Sequence, residues 1–369
     1  MKKVCILTSV HPAFDDRIFY KEARSLVEAG YDVTLIAQHN KNEVVGGIKI
    51  IALPKSNNRF SRIFGLTGKM CVIALKQKAD IYHFHDPELL PWMVMIKKMT
   101  RVKIIYDVHE NVPGQILSKY WIPKYLRGLI SRVMNIFEKL SVKSFDKVIA
   151  ATQSIGERFS KEKVVVIKNL PVISIIKRSA PIEYLKKIPV AIYEGAITKI
   201  RGIKQILEAL DILNGKAELW LLGPFSPPSF EKEILSNPKS YIKYKGYLPP
   251  TDIYSFVKLA DVGLVVFLPE PNHLESLPNK IFDYMAAGLP IVASNFPLWR
   301  EIIEGNKCGI CVDPLNPKEI SKAIEYLINN PEEAKLMAEN GIKTVSEKYN
   351  WENEAKKLLN IYEELIKNN

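Results

Sequence analysis

The chain has 369 residues, 47% of them apolar and 25% charged, a globular balance that excludes a disordered or fibrous protein. Its length exceeds one ordinary core and predicts two domains. No stretch reaches the ~20 apolar residues of a membrane span. The formal net charge of +12 is uneven: residues 1–168 hold 28 Lys and Arg against 15 Asp and Glu, and the rest holds 24 against 25.

The opening KVCILTSV (3–10) reads as a first β-strand. Its apolar run is too short for a signal-peptide core and lacks a small-residue cleavage site before Asp15 and Asp16, which predicts a cytoplasmic protein. Ile18, Phe19, Ala23, Leu26 and Val27 then fall near helical spacing, and the pattern stops at Gly30. DVTLIAQ (32–38), GIKIIAL (47–53), DIYHFH (80–85), KIIYDVH (103–109), KVIAAT (147–152) and VVVIKNL (164–170) complete the strands of this half. Two basic stretches interrupt it, 55–69 and 118–140. The second mixes Tyr120, Trp121 and Leu126 with Lys124, Arg127 and Arg132. It reads either as an interfacial amphipathic helix or as a core-packed helix with a charged back. With the basic surplus, it points to an anionic membrane surface as a partner, the alternative being an ordinary solvated surface.

The stretch 169–189 carries three prolines and no steady period, which places a hinge there. A second alternation follows: strands at 189–195, 217–223, 241–248, 262–268, 289–294 and 309–314, with helices at 202–214, 251–260, 279–287, 317–330 and 331–349. Apolar strands alternating with helices predict parallel, doubly wound sheets, so the expected class is α/β with two Rossmann-like domains, 1–168 and 169–369. No GxGxxG follows the first strand, which disfavours dinucleotide binding. Four scattered cysteines make no disulfide framework. Cys308 and Cys311 form a CxxC, but without a second ligand pair it reads as part of a short buried strand.

Ligands of such sheets sit beyond the carboxyl ends of the strands. The most informative loop is EPNHLESLPNKIFDYMAAGLPIVAS (270–294). Ser276 and Pro278 look like an N-cap and an early helical proline, so a helix start points free N–H groups and a positive dipole end at an anion. Lys280 adds charge, and Asp283, eight positions after Glu275, can accept from neighbouring sugar hydroxyls.

An acid, seven residues, and a second acid before MAAGLPIVAS resembles the signature of retaining glycosyltransferases of family 4, which have the GT-B fold with two such domains facing across a cleft. The resemblance implies that Glu275 lies against a donor sugar, that Ser276, Leu277, Pro278 and Asn279 hold its diphosphate, and that Asp283 binds the ribose. Asp283 departs from the family's usual glutamate. YEGAITKIRGI (193–203) resembles the phosphate loop, with Gly195 and Arg201 as contacts and Ala196 where the family often has Arg. Gly223 and Lys245 to Tyr247 resemble the base-binding region. YDVHE places on His109 a contact to donor sugar and leaving group. His11, Asp16, Arg17, His85, Asp86 and Glu110 would line the acceptor side. The terminal helix 351–369 resembles one that crosses back onto the first domain.

The function so implied is retaining, metal-independent hexosyl transfer from a UDP- or GDP-linked sugar to a saccharide or lipid-linked saccharide, in cell-surface polysaccharide synthesis. It requires no cofactor and no metal site. The enzyme would be cytoplasmic or peripheral on the inner membrane face. The rival enzymatic reading is a nucleotide-sugar epimerase of similar fold. A nucleic-acid-binding protein is prompted only by the pI of 9.2 and has no recognition motif behind it.

Overall fold

The computed structural model describes the chain except residues 57, 101, 120, 121, 180, 181, 185, 237, 238, 275, 368 and 369. It divides into two compact units, Met1–Asn169 with Glu352–Asn369, and Leu170–Trp351.

The first unit is built on eight strands: β1 (Lys3–Pro12), β2 (Asp32–Gln38), β3 (Glu43–Val45), β4 (Ile48–Leu53), β5 (Ile81–Phe84), β6 (Lys103–Val108), β7 (Lys147–Ala150) and β8 (Val164–Val166). Their order is β3-β4-β2-β1-β5-β6-β7-β8, parallel except that β3 runs antiparallel to β4. β3 has no counterpart in the sequence reading. Its signal is Gly46–Gly47, both at positive φ, which closes a two-residue hairpin between Val45 and Ile48. The chain order turns at β1, so β2 and β5 flank it and their loops diverge there.

Three expected elements differ in detail. The helix predicted near 16–30 starts as a wider π-helical turn, Ile18–Ala23, before the α-helical Arg24–Glu28, and Lys21 and Glu22 are buried in it. The strand predicted over 164–170 pairs only at Val164–Val166. The stretch predicted as a hinge contains a helix, Ile173–Arg178.

The second unit has six strands: β9 (Val190–Glu194), β10 (Glu218–Leu222), β11 (Ile242–Gly246), β12 (Val262–Val265), β13 (Ile291–Ser294) and β14 (Gly309–Val312). All are parallel in the order β11-β10-β9-β12-β13-β14, a doubly wound sheet that reverses between β9 and β12. The expected helices appear as Ile203–Leu213, Pro250–Val257, Asn279–Ala287, Pro317–Asn329 and Pro331–Glu347. Tyr193, Trp220, Phe282, Tyr284 and Trp299 fill the core. The CxxC lies on and before β14, with Cys308 buried and Cys311 half-buried, and burial pushes both thiols up to about 12, so they stay protonated. Among the described residues no helix is long and apolar enough to cross a membrane.

Candidate functional site

Each unit carries a cavity at the carboxyl ends of its central strands. In the second unit, a cavity of about 510 Å³ opens where β9 and β12 diverge. Glu194, Arg201, Phe267, His273 and the loop from Ser276 to Lys280 line it, with Asp283 behind. Arg201 ends a short 3₁₀ turn, Lys199–Arg201, that Gly202 closes at φ +69°. A Cβ at Gly202 would lie 1.9 Å from the Val266 carbonyl, so only glycine lets the turn pack against the end of β12. The Arg201 guanidinium stacks 5.2 Å from the Phe267 ring centroid and donates through Nη1 to the Ala196 carbonyl at 3.1 Å. Lys280 donates to the Glu194 carbonyl, and its Nζ sits 3.7 Å from the Tyr193 ring centroid. A Cβ added at Gly195 would lie 3.5 Å from Lys280 Nζ and 3.6 Å from Arg201 Nη1, so the missing side chain leaves open the space both cations face.

The helix behind this cradle begins at Asn279, with Pro278 at the cap position and no side chain capping it. That revises the expected cap. Ser276 donates instead to the His273 carbonyl at 3.1 Å, and Trp299 Nε1 holds the Ser276 carbonyl at 2.7 Å. The Pro278 carbonyl takes the Ile281 N–H at 3.1 Å, and the uncapped start keeps the N–H groups before it available to an anion. Asp283 accepts from the Tyr254 hydroxyl at 3.1 Å. Glu275 lies outside the described residues.

Two expected donor contacts lie away from this cavity. Tyr247 is 76% exposed. The Gly223 N–H is taken by the Gly246 carbonyl at 2.6 Å, and at φ +124° the residue packs against Gly195, where a Cβ would come within 2.2 Å of the carbonyl oxygen. Gly223 therefore lets two strand ends approach, which is a packing reason for glycine.

Burial lowers the Lys280 pKa, and Arg201 adds to this against the pull of Glu194 and Asp283, bringing it to about 7. A diphosphate would restore the charge. We expect nucleotide binding near neutral pH to take up a proton, and affinity to fall as pH rises above 7. Calorimetry in buffers of different ionisation enthalpy reads the uptake directly. Equal proton uptake in Lys280→Met would place the titrating group elsewhere.

In the first unit, a cavity of about 550 Å³ lies beyond β1, β5 and β6. His11, His85, Asp86, His109 and Glu110 line it, with Arg59, Arg62, Glu88, Ile116 and Lys119. Asp86 is buried and organises the loop after β1. Its Oδ2 accepts from Thr8 Oγ1 at 2.9 Å, from the Ser9 N–H at 2.6 Å and from the Val10 N–H at 3.2 Å. Glu110 is held by Gln115 Nε2 at 2.6 Å. His109 Nε2 lies 2.9 Å from His85 Nδ1 and 3.2 Å from Asp107 Oδ1. Burial lowers the His11 pKa, but a hydrogen bond to Asp15 and the charges of Asp86, Asp15 and Glu110 outweigh it and leave it raised.

Asp16 and Arg17, expected at this cavity, do not line it. Asp16 is turned to the surface beside Lys21, 2.6 Å away. Arg17 is 3% exposed and points inward, 2.9 Å from Asp107 and 2.8 Å from Glu22, and it donates to the Ile167 carbonyl at 3.0 Å. A guanidinium with two buried carboxylates available has no reason to face solvent.

Sequence reasoning missed Glu22, His83, Asp107 and Tyr362. The signal for two of them was a titratable side chain inside an otherwise apolar strand, His83 in IYHF and Asp107 in KIIYDV. Tyr362 of the terminal helix Trp351–Lys367 reaches His83 Nδ1 at 2.8 Å. Ligand-type atoms of Glu22, His83, His85 and Asp107 lie within 4.8 Å of one another. The Arg17 guanidinium offsets the Asp107 charge and lies against Glu22, whose pKa burial raises, and a divalent cation beside it would be repelled, so the cluster fits a charge network better than a metal site. Burial and His83 hold His85 well below its ordinary range, so it stays neutral at pH 7.

Comparison with known proteins covers both units. The description "Glycosyl transferases group 1" matches residues 177–344, and "Glycosyltransferase Family 4" matches residues 17–170. An uncharacterized glycosyltransferase of Haemophilus influenzae is 24% identical over 356 residues, 90% of this chain and 94% of its own. Sucrose-phosphate synthase from Thermosynechococcus elongatus superposes with a TM-score of 0.76 at 15% identity, covering 100% of both chains. The HepE protein of Anabaena, solved with UDP and glucose, superposes at 0.75 and 14% identity over 98% of this chain and 100% of its own.

Proposed function

Because this chain belongs to the group 1, family 4 glycosyltransferases and has the GT-B fold, we propose that its sugar donor is UDP- or GDP-linked and is bound by the second unit. One observation carries this reading: Arg201, Lys280 and an uncapped helix start converge on the space beside Gly195, at the point where the sheet order reverses. Two cations and the first N–H groups of a helix suit a diphosphate, which the same groups stabilise as it leaves. The UDP bound to the structurally similar HepE protein supports the choice of a nucleoside diphosphate.

The acceptor, a saccharide or lipid-linked saccharide in cell-surface polysaccharide synthesis, is assigned to the first-unit cavity. Its His11, His109 and Glu110 offer ring nitrogens and a carboxylate to hydroxyl groups. Transfer proceeds with retention. The bond from the anomeric carbon to the diphosphate oxygen breaks as the acceptor oxygen bonds that carbon, and the acceptor proton passes to the departing phosphate. His109 and Glu275 orient the sugar, and Arg201 and Lys280 carry the charge a metal would otherwise neutralise.

The test is a thermal-shift series with UDP, GDP and ADP. A nucleotide at a hundred times its Kd stabilises by about 2.7 kcal/mol. We expect UDP or GDP to raise the Tm, and Asp283→Ala to lose most of that rise while its ligand-free Tm holds. A Tm unmoved by all three nucleotides would overturn the donor reading. An unchanged rise in Asp283→Ala would remove Asp283 from the ribose.

A further inference from the structure

The helix Lys124–Val142 turns a long apolar stripe outward. Its inward face sets polar groups beside Met134 and Val142, which pack on the core. Glu138 is fully buried and accepts from the Tyr106 hydroxyl at 2.9 Å and from Arg158. Ser131 donates to the Pro113 carbonyl at 2.7 Å, and Asn135 accepts from Arg158 at 3.3 Å. Its outward face is apolar. Tyr125 is 83% exposed and Leu129 61%, and Val133, Ile136 and Leu140 continue the row at the i+4, i+3 and i+4 spacing of one helical stripe. Arg132, Lys139 and Lys143, all exposed, border that stripe on one side. Soluble helices turn the opposite way, and an apolar stripe of this length is left in water only where something covers it.

We infer that the exposed apolar stripe and basic border of this helix seat the first unit on an anionic lipid bilayer, with the stripe in the headgroup boundary. Charge selects this occupant. Counted over the two units, Met1–Asn169 with Glu352–Asn369 holds 31 basic residues against 19 acidic, and Leu170–Trp351 holds 21 against 21. The whole surplus therefore lies on the unit that bears the stripe, as attraction to anionic lipid requires.

A second observation ties the surface to the site. Arg59, Arg62 and Ile63 line the first-unit cavity on one side, beside Phe60 and Phe64, which are exposed and stacked on each other at 6.4 Å. Ile116, Lys119 and Ile122, which lead into this helix, line it as well. The cavity is thus bordered by two apolar, basic segments, one of which leads into the helix that bears the stripe. This places a lipid-linked acceptor at that cavity and rests on the acceptor reading above, but the bilayer contact itself does not.

Arg127, one of the basic residues singled out in the sequence, is excluded from the test because its Nε holds the Ile122 carbonyl at 2.8 Å. The experiment is flotation of the full chain with phosphatidylcholine vesicles, with and without phosphatidylglycerol, at low and high salt. The parent should float only with the anionic vesicles and at low salt. Each basic residue near the surface is worth about fivefold in partitioning, so reversing Arg132, Lys139 and Lys143 to Glu should cut binding at least about a hundredfold. The variant Leu129→Gln/Ile136→Gln should lose binding at unchanged charge while keeping its Tm, since both residues are exposed. Nucleotide-induced Tm shifts are measured on the same samples. Vesicle binding equal to the parent's in both variants overturns the inference, and so does a concentration-dependent dimer in sedimentation that Leu129→Gln/Ile136→Gln abolishes with no flotation by the parent. A normal nucleotide shift beside absent flotation leaves the donor reading standing, and the reverse result separates the two the other way.

Discussion

Replacing Arg17 with Met should destabilise the first unit by about 3–5 kcal/mol, the cost of removing one partner from a buried ion pair. Arg17 and Asp107 meet at 2.9 Å with the carboxylate fully buried, and Glu22 completes the group at 2.8 Å from the guanidinium. Burial pushes Asp107 up, but Arg17 and His109 beside it outweigh that and hold it well below the usual carboxylate range. Burial and the neighbouring Asp107 push Glu22 the other way, well above the usual carboxylate range, against the pull of Arg17. The signs follow from these directions. The contribution of Asp107 is present above the ordinary carboxylate pKa and is lost as pH falls through its depressed value. Without Arg17 that pKa rises, so acid unfolding should begin at a higher pH in the variant. Urea unfolding at neutral pH gives the magnitude, and an acid titration followed by circular dichroism gives the sign. A loss under about 1 kcal/mol would mean that water or rearranged side chains satisfy Asp107, and that the network is looser than its geometry. Because Asp107 also lies 3.2 Å from His109, Arg17→Lys, which keeps the charge without the fork, should recover stability better than it recovers transfer.

Arg201→Ala should lower kcat by about 10²–10³, the range seen when one preorganised group at a developing charge is removed. The guanidinium is held by the Ala196 carbonyl and the Phe267 face and presents its remaining N–H donors to the space beside Gly195. A donor positioned before the reaction costs no reorganisation when charge appears on the leaving diphosphate, and this is why its loss falls on the rate. Arg201→Lys should recover only part, since a point charge replaces a fixed fork. Ligand-free Tm should change little, because Arg201 is only partly buried and makes no ion pair among the described residues. Steady-state kinetics with the nucleotide-sugar that passes the thermal-shift screen supplies the measurement. Full activity in Arg201→Ala would transfer the role to Lys280 and the helix start.

The sequence by itself determined what depends on near neighbours. Two runs of apolar strands alternating with helices specify two parallel sheets, because period and length are local properties of the chain. The loop 270–294 and the stretch 193–203 were legible for the same reason, since a strand end, a glycine and a helix start lie within a few residues of one another. The basic surplus of the first half was a matter of counting. Tertiary structure decided the rest. Arg17 and Asp107 are 90 positions apart, and only the placement of β6 two strands from β1 makes them partners, which turns an arginine expected to line the acceptor side into a buried one. Gly223 looks like a ligand contact along the chain and becomes a packing glycine once β9 lies beside β10. The helix Lys124–Val142 shows the limit most plainly. Its period reveals two faces, but which face turns inward depends on Tyr106, Pro113 and Arg158, whose polar groups lie elsewhere in the chain and claim Glu138, Ser131 and Asn135. A buried polar group must find its partner, so these distant contacts, and not the helix's own pattern, set its apolar side toward the surroundings.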